Sequence, residues 1–212
     1  MTASLRPKIS IIVAALIPEY GIGYKGQLPW SLKQEMKYFR KVTTATVDPL
    51  KKNAVIMGRK TYHSIPPKFR PLKGRHNVVL TRNPNQLKAE MKPELEENVG
   101  SLSISSSLVH TLNSLENVHE IEEIFIIGGA EVYNQLMESN YDIIDRIFLT
   151  EVTHDKILPM DAHFNLDKSK WEKLSSNSLN SYLESKNLQN EFEITGNDEN
   201  DFQFEFTLWE KK

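Results

Sequence analysis

Short apolar runs that alternate with helical patterns restrict the fold of this chain more than any other feature of its sequence. Several runs have the length and composition of strands buried on both faces, at residues 9–16, 54–57, 77–80, 124–127 and 146–152, with a weaker one at 102–105. Helical patterns separate them, at about residues 32–42, 61–65, 107–115 and 131–138. This order predicts crossover helices packed on a largely parallel sheet, and therefore an α/β fold.

The C-terminal part of the chain follows a different pattern. An alternation with period two predicts one half-buried antiparallel strand, with apolar positions at Phe202, Phe204, Phe206 and Leu208. Residues 171–175 could pair with this strand. The polar stretches at residues 83–100 and 176–201 are expected to lie at the periphery and to contain some helical turns, because unstructured loops of that length are uncommon.

The composition narrows the range of functions. The chain has 212 residues, which favours one domain spanning residues 1–212. Its 26 Lys and Arg residues nearly balance 28 Asp and Glu residues, so the charge favours a small-molecule partner over a nucleic acid or a membrane. The absence of cysteine excludes disulfides and thiolate chemistry and favours a reducing, cytoplasmic location. His63 and His76 are isolated and do not have the spacing of zinc ligands, so no metal site is predicted.

Three glycines after the first strand form the sequence G-x-G-x-x-G, which is the fingerprint of a Rossmann dinucleotide site. The sequence around Gly21, Gly23 and Gly26 lacks the other features of that fingerprint. Pro29 precedes any helix, and the second strand ends in basic residues instead of an acid for the ribose. We therefore predict a flexible loop in which the glycines provide positive φ angles and which could close over a ligand.

A helix is predicted to begin near Leu32. Ser31 and Gln34 have the spacing of a capping box, in which two side chains bond free backbone N–H groups of the first turn. Leu32, Met36 and Phe39 then recur at helical spacing and mark the face that packs inward.

Glu35 lies on or beside this inward face, and the spacing leaves two interpretations open. A buried carboxyl has a raised pKa, which would make Glu35 a candidate acid or ligand anchor. Alternatively, Glu35 is a surface residue near Lys33 and Lys37.

Three strand-to-helix turns carry groups that suit an anionic ligand. They lie at residues 58–61, where Thr61 is the predicted N-cap, at residues 81–82 and at residues 127–130. Taken alone, each arginine is better explained as a solvated surface residue, and the paired glycines are explained as a tight turn. Because ligands of open α/β sheets bind at the carboxyl ends of strands, the three turns together favour a nucleotide phosphate site.

Several motifs, taken in order, resemble the dihydrofolate reductase family from Ile9 to about Phe164. They are Val13-Ala14-Ala15, Gly21-Ile22-Gly23, Leu28-Pro29-Trp30, Glu35 with Tyr38-Phe39, Val55 through Thr61, Arg70-Pro71-Leu72 through Arg75, Ile127-Gly128-Gly129 through Tyr133, and Leu149-Thr150. The resemblance implies a monomer with a three-layer fold and an eight-stranded, mostly parallel sheet. It implies an oxidoreductase of one-carbon metabolism that uses NADPH to reduce dihydrofolate to tetrahydrofolate and that binds antifolate inhibitors.

The resemblance also implies roles in the substrate site. Glu35 matches the acid that hydrogen-bonds the pterin ring, and Thr150 matches the hydroxyl that supports it. Trp30 is implied to order water beside the ring, and Leu28 belongs to a mobile loop over the nicotinamide. Arg75 is implied to pair with the glutamate carboxylate of folate. The other implied substrate contacts are Val13, Ala14, Met36, Phe39, Ile65, Leu72, Ile127 and Tyr133.

Roles in the cofactor site follow from the same resemblance. Arg59 and Arg82 match the region of the 2′-phosphate of NADPH, and the Gly128–Gly129 bond matches a cis peptide. Asp161 resembles an acid that supports the catalytic loop. The implied NADPH contacts are Ala14, Ile22, Gly58, Arg59, Lys60, Thr61, Leu80, Thr81, Arg82, Ile127, Gly128, Gly129, Ala130, Glu131 and Val132.

Two features depart from the compact form of the family. Tyr62 and His63 stand where Trp and Glu are usual, and the stretches at residues 86–98 and 176–201 are typical of the longer eukaryotic type. Two rival functions are a pyrimidine-reducing enzyme of riboflavin synthesis and a non-catalytic nucleotide-binding module. The Leu-Pro-Trp segment followed by Glu35 favours a pterin substrate over both.

Overall fold

An eleven-stranded sheet runs through the part of the chain that the computed structural model describes, residues 6–139 and 141–212. Its strands are β1 (Lys8–Leu16), β2 (Gly21–Gly23), β3 (Lys52–Gly58), β4 (Arg75–Leu80), β5 (Leu102–Ser105), β6 (Ile121–Ile126), β7 (Arg146–His154), β8 (Ala162–His163), β9 (Trp171–Lys173), β10 (Asn197–Glu199) and β11 (Phe202–Lys211). Residues 1–5 of the predicted domain lie outside the described residues.

Eight of these strands follow one another in the order β10-β11-β7-β1-β6-β3-β4-β5. The strands from β7 to β5 are parallel, whereas β11 pairs antiparallel with β7 and with β10. The predicted eight-stranded, mostly parallel sheet with an antiparallel C-terminal strand is therefore confirmed. Three short strands, β2, β8 and β9, extend it. The predicted pairing of residues 171–175 with the last strand is confirmed by β9.

Helices cover both faces of the sheet and make three layers. They are α1 (Lys33–Thr44), α2 (Arg59–Ser64), α3 (Pro84–Glu90), α4 (Lys92–Glu97), α5 (Leu108–Glu116), α6 (Ala130–Ser139) and α7 (Ser176–Ser185). Buried residues of α1, α2, α3 and α7 form a core cluster on one face, and those of α5 and α6 form a second cluster on the other. None of the helices in the described ranges has both the length and the apolar character of a membrane span.

The two polar stretches contain more regular structure than their composition indicates. The first holds α3 and α4, and Leu87 and Met91 are buried in the core. The expectation of a peripheral stretch is wrong for residues 176–201, which contain α7 and β10. Leu179 and Leu183 of α7 pack in the same core cluster as β11. A helix of ten residues needs only a few apolar positions to pack, so the stretch as a whole remains polar in composition.

The last strand, β11, is buried on both faces from Phe206 to Trp209. Its predicted apolar positions from Phe202 to Leu208 all lie in the core. Thr207 and Trp209 are also buried, on the opposite face, where Trp209 packs in the same cluster as Trp171. The prediction of a half-buried strand therefore holds for its first half only, because a second core covers the rest.

The glycine-rich segment is the loop and strand that follow β1. Gly21 and Gly23 belong to β2, which pairs antiparallel with β1 and β8, so no Rossmann turn forms here. Of the three glycines, Gly26 alone has a positive φ, of 78°. Gly21 serves packing instead, because a Cβ atom there would lie 2.4 Å from the side chain of Met160.

The starts of α1 and α2 differ from the predicted caps. The N-cap of α1 is Leu32, which makes no side-chain cap, so the capping box predicted for Ser31 is wrong. The carboxylate of Glu199 instead accepts hydrogen bonds from the backbone N–H groups of Lys33 at 2.8 Å and Gln34 at 3.1 Å. Thr61 is likewise not a cap, because α2 already begins after Gly58.

Asn53 fixes the other end of α1. It is fully buried in β3, and its amide Nδ2 donates to the carbonyl oxygens of Thr43 at 3.1 Å and Ala45 at 2.9 Å. Its Oδ1 accepts from the backbone N–H of Glu123 at 3.1 Å. One side chain thus joins the C-terminal end of α1 to β6.

We expect Asn53→Ala to lower the free energy of unfolding by about 3 kcal/mol, since it leaves one buried N–H and two carbonyl groups without partners. Urea unfolding of both proteins measures this loss. Asn113→Ala is the matched control, because Asn113 is exposed on α5 and its side chain makes no hydrogen bond within the described part of the chain. Equal stability of the two variants would show that these bonds contribute nothing.

Candidate active site

A cleft of about 2720 Å³ opens along the carboxyl ends of the central strands, with α1 on one side and the starts of α2 and α6 on the other. Sites for one small ligand usually measure about 300–1,000 Å³. The cleft therefore has room for two ligands side by side. Its position agrees with the rule that open α/β sheets bind ligands at the carboxyl ends of their strands.

Most residues predicted from the sequence line this cleft. They are Val13, Ala14, Ile22, Leu28, Glu35, Met36, Phe39, Gly58, Arg59, Lys60, Thr61, Ile65, Leu72, Arg75, Leu80, Thr81, Arg82, Ile127, Gly129, Ala130, Glu131, Val132 and Tyr133. Three predicted residues, Trp30, Gly128 and Thr150, do not line it. All three residues are buried.

Glu35 is buried, with 6% of its surface exposed, in the first turn of α1. Of the two interpretations left open by the spacing, this burial excludes a surface residue and supports a candidate acid or ligand anchor. Burial alone raises the pKa of its carboxyl from the ordinary 4.5 to about 7, and no described group donates a hydrogen bond to it. Its charge in turn raises the pKa values of Tyr38 and Tyr133, after the larger effect of their own burial.

Three further buried polar groups in or near α1 have no partner among the described residues. They are the indole N–H of Trp30, the hydroxyl of Thr44 and the hydroxyl of Tyr38, whose ring stacks on Phe206 at 3.9 Å. Buried donors of this kind are usually satisfied by a ligand or by ordered water. Thr150 lies in register with Ala14 in the sheet, but no hydrogen bond joins it to Glu35 in the described structure.

The predicted inward face of α1 is only partly correct. Leu32 is buried, but Met36 is 51% exposed and faces the cleft, as does Leu28 at 49%. Tyr38 and Val42 provide the core contacts of the helix instead. The reason is that α1 divides its apolar surface between the sheet and the cleft, and spacing alone does not separate the two.

Arg75 is a buried cation without an acidic partner among the described residues. It is 5% exposed, and its guanidinium donates to the carbonyl oxygen of Lys73 at 3.1 Å and to the hydroxyl of Thr43 at 2.8 Å. Burial, and then the charge of Arg40, lowers its pKa to about 10. A buried guanidinium of this kind is suited to binding an anionic group of a ligand.

Arg40 was not predicted, although it lines the cleft. Its spacing of four residues from Met36 places it on the same face of α1. That spacing is the signal that identifies it.

The three strand-to-helix turns meet at one edge of the sheet. Gly58 is in register with Leu80, and its backbone N–H donates to the carbonyl of Gly128 at 2.7 Å. A Cβ atom at Gly129 would lie 3.1 Å from the Thr61 hydroxyl, so only glycine leaves this approach open. The predicted cis peptide between Gly128 and Gly129 is present. The predicted convergence of these turns is therefore confirmed.

Basic side chains surround these turns. Arg59 and Lys60 are exposed and form no ion pair with any described acid. Arg82 pairs with Glu131, but both side chains are largely exposed, and such pairs contribute little. Their arrangement gives the cleft a positive rim and leaves Arg82 available to a stronger anion.

Asp161 holds the loop that follows β2. Its carboxylate accepts from the backbone N–H of Lys25 at 2.8 Å, and its own N–H donates to the carbonyl of Gly23 at 3.0 Å. The loop in turn lines the cleft. Asp161 thus supports this loop, as the resemblance implies.

The departure at Tyr62 and His63 has a structural explanation. Tyr62 is fully buried, and its hydroxyl donates to the carboxylate of Glu94 in α4 at 2.7 Å. Arg70 lies 3.7 Å from the same carboxylate. The inserted α4 therefore provides the partner that a tyrosine requires, and His63 remains at the cleft.

Comparisons with known proteins point to one family. A sequence model of the dihydrofolate reductase family matches residues 8–196. The dihydrofolate reductase of Candida albicans is 39% identical over 210 residues, which cover 98% of this chain and 99% of that protein. The dihydrofolate reductase of Saccharomyces cerevisiae is 41% identical over 217 residues and 95% of each chain. The solved structure of Schistosoma mansoni dihydrofolate reductase matches with a TM-score of 0.70 at 28% identity, over 97% of this chain and 98% of that one.

The raised pKa of Glu35 predicts how stability depends on pH. An acid with a higher pKa in the folded protein destabilises that state as it ionises, so the ligand-free protein should lose stability between about pH 4.5 and pH 7. Glu35→Gln removes this loss. We expect the variant to be more stable than the parent by about 3 kcal/mol at pH 8, with a much smaller difference at pH 5.

Urea unfolding of both proteins at the two pH values measures these differences. Because all other titrating groups are shared, they cancel in the comparison. A difference that is the same at both pH values would contradict the raised pKa.

Proposed function

Because this chain belongs to the dihydrofolate reductase family, and thus reduces 7,8-dihydrofolate to 5,6,7,8-tetrahydrofolate with NADPH, we propose that Glu35 anchors the pterin ring in the cleft. The observation that carries this proposal is a carboxyl that is buried at the cleft and has no partner among the described residues. A carboxyl in that state retains its full capacity to bond a polar ring. It also stabilises positive charge that develops there during the reaction.

The reaction adds a hydride to C6 of the pterin and a proton to N5. We infer that the proton reaches N5 through water ordered beside the unpartnered indole N–H of Trp30. Glu35 holds the ring, and its carboxylate form favours the protonated form of the pterin. The pKa of Glu35, about 7, lets this carboxyl exchange protons near neutrality. Thr150 contributes from the adjacent strand by supporting the pocket around Ala14.

Tyr133, residues at the strand ends and the apolar side of α1 complete the substrate site in this proposal. Val13, Ala14, Ile127 and Tyr133 would contact the pterin, and Met36, Phe39, Ile65 and Leu72 would flank the aminobenzoyl group. Leu28 would cover the reacting rings from its loop. Exclusion of water by these apolar groups strengthens each electrostatic contact inside the cleft.

The residues at the three turns fit NADPH, which supplies the hydride when bound. Arg59, Lys60 and Arg82 would bind the 2′-phosphate, with Arg82 exchanging its exposed contact with Glu131 for the phosphate. Thr61 and the backbone at the start of α6 would bind the pyrophosphate, because the missing side chain at Gly129 leaves room beside the Thr61 hydroxyl. The other contacts would be Ala14, Ile22, Gly58, Leu80, Thr81, Ile127, Gly128, Glu131 and Val132.

We further propose that the protein acts as a cytoplasmic monomer and binds small molecules only, antifolate inhibitors among them. The formal net charge of −2 and the absence of cysteine support this proposal. The buried acid at the cleft argues against both rivals, because neither a pyrimidine reductase nor a nucleotide-binding module requires it.

Glu35→Ala tests the role of the acid. We expect hydride transfer to slow by about 10²-fold or more at neutral pH, because the variant no longer anchors or polarises the pterin. The deficit should shrink as the pH falls, since the solvent then protonates the substrate directly. Single-turnover oxidation of NADPH measured across pH gives this result.

Binding of NADPH to the Glu35→Ala protein is the control and should remain near the parental affinity. A nearly parental rate at neutral pH, or a deficit that grows in acid, would remove Glu35 from the mechanism.

Arg75→Leu tests the proposed contact with the glutamate tail. We expect KM for dihydrofolate to rise by about 10-fold or more, because a charge-assisted hydrogen bond is lost. KM for a dihydropterin that lacks the glutamate should change little. Steady-state assays with both substrates measure the difference, and equal losses for the two would indicate a structural role for Arg75.

A further inference from the structure

The helix that carries Glu35 receives its cap from the far end of the chain. We propose that Glu199 is a positioning residue for the reaction, which fixes the first turn of α1 and with it the carboxyl of Glu35. This inference rests on the role proposed above for Glu35. It assigns a catalytic contribution to the turn between β10 and β11.

The contact is bidentate. One carboxylate oxygen of Glu199 accepts from the N–H of Lys33 at 2.8 Å, and the other accepts from the N–H of Gln34 at 3.1 Å. The local N-cap residue, Leu32, offers no side-chain bond. An anion at this position also interacts favourably with the positive end of the helix dipole. Glu35 is the next residue after Gln34.

The geometry of a tight turn places Glu199 there. Glu199 pairs with Phe202 across the hairpin, and the two residues between them, Asn200 and Asp201, have φ angles of 55° and 65°. Asn and Asp adopt such angles at low cost. The amide of Asn200 also donates to the carbonyl of Ser31 at 2.8 Å, so the chain just before α1 is held by the same turn.

The remainder of the C-terminal segment packs along α1 behind this cap. The ring of Phe192 meets Tyr38 edge to face at 5.2 Å, and the ring of Tyr38 stacks on Phe206. Glu191 forms ion pairs with Lys37 at 2.9 Å and Lys41 at 3.5 Å. Because these contacts hold the body of the helix, the loss of Glu199 should loosen the first turn without releasing α1 as a whole.

Loosening the first turn should affect one ligand and spare the other. The pterin depends on Glu35, which lies in that turn. None of the proposed NADPH contacts lies on α1, and Glu199 makes no hydrogen bond to any of them among the described residues. Small displacements of a positioned group have large kinetic effects. A positioning role therefore predicts a loss that is confined to the folate side of the reaction.

The experiment compares four variants of the full chain. Glu199→Ala removes both acceptors, and Glu199→Gln keeps one neutral acceptor. Asp198→Asn is the matched control, since Asp198 is an exposed acid on the same strand that makes no side-chain hydrogen bond within the described chain. Glu35→Gln reports on the anchor itself. For each we would measure kcat and KM for dihydrofolate, Kd for NADPH by fluorescence, and Tm.

We expect Glu199→Ala to lower kcat/KM for dihydrofolate by about 10-fold, with Kd for NADPH unchanged within about twofold. Glu199→Gln should fall between this variant and the parent, and Asp198→Asn should match the parent. A Glu199→Ala protein as active as Asp198→Asn would overturn the inference. Equal losses of folate and NADPH binding, accompanied by a lower Tm, would overturn it as well, because they indicate a general structural role.

The variant Glu35→Gln separates this inference from the proposed function. Parental activity of Glu35→Gln would defeat the role of Glu35 itself. An impaired Glu35→Gln protein beside an unimpaired Glu199→Ala protein would defeat only the role of Glu199.

Discussion

The cleft keeps two ionisable groups buried without an oppositely charged partner among the described residues, and much of the surrounding structure serves to hold them there. Glu35 and Arg75 each lose hydration in the folded protein. Burial therefore raises the pKa of Glu35 and lowers the pKa of Arg75, and both shifts favour the neutral form of the group. Both groups depend on α1. The helix carries Glu35 directly, and its Thr43 hydroxyl accepts a hydrogen bond from Arg75. The reactive geometry is therefore only as well defined as the placement of this one helix.

Residues outside the helix fix α1 at both ends. Glu199 bonds its first N–H groups, and Asn53 bonds the carbonyl groups at its C-terminal end. The stack of Tyr38 on Phe206 secures its middle. These contacts explain why stretches that exceed the compact form of the family are packed as regular structure. The C-terminal stretch holds α1, and α4 supports α2 through Glu94 and Tyr62.

Local sequence patterns predicted the parallel strands and the three strand-to-helix turns. The parallel strands are apolar on both faces, so each was identifiable by itself, and the motifs at their ends located the three turns. Contacts between distant residues were not predictable. The spacing around Glu35 did not distinguish the sheet from the cleft, which is why Met36 was assigned to the core. The cap of α1 was assigned to Ser31 because Glu199 lies 166 residues beyond Lys33.

This long separation also orders the steps by which a newly made chain becomes an enzyme. The N-terminal strands and α1 leave the ribosome early, but the residues that secure α1 follow only with the last strand. Until Phe206 has been synthesised, Tyr38 and the first turn of α1 lack their partners. Glu35 therefore acquires its setting only after β11 has been made, and shorter nascent chains contain the residues of the candidate site without its structure.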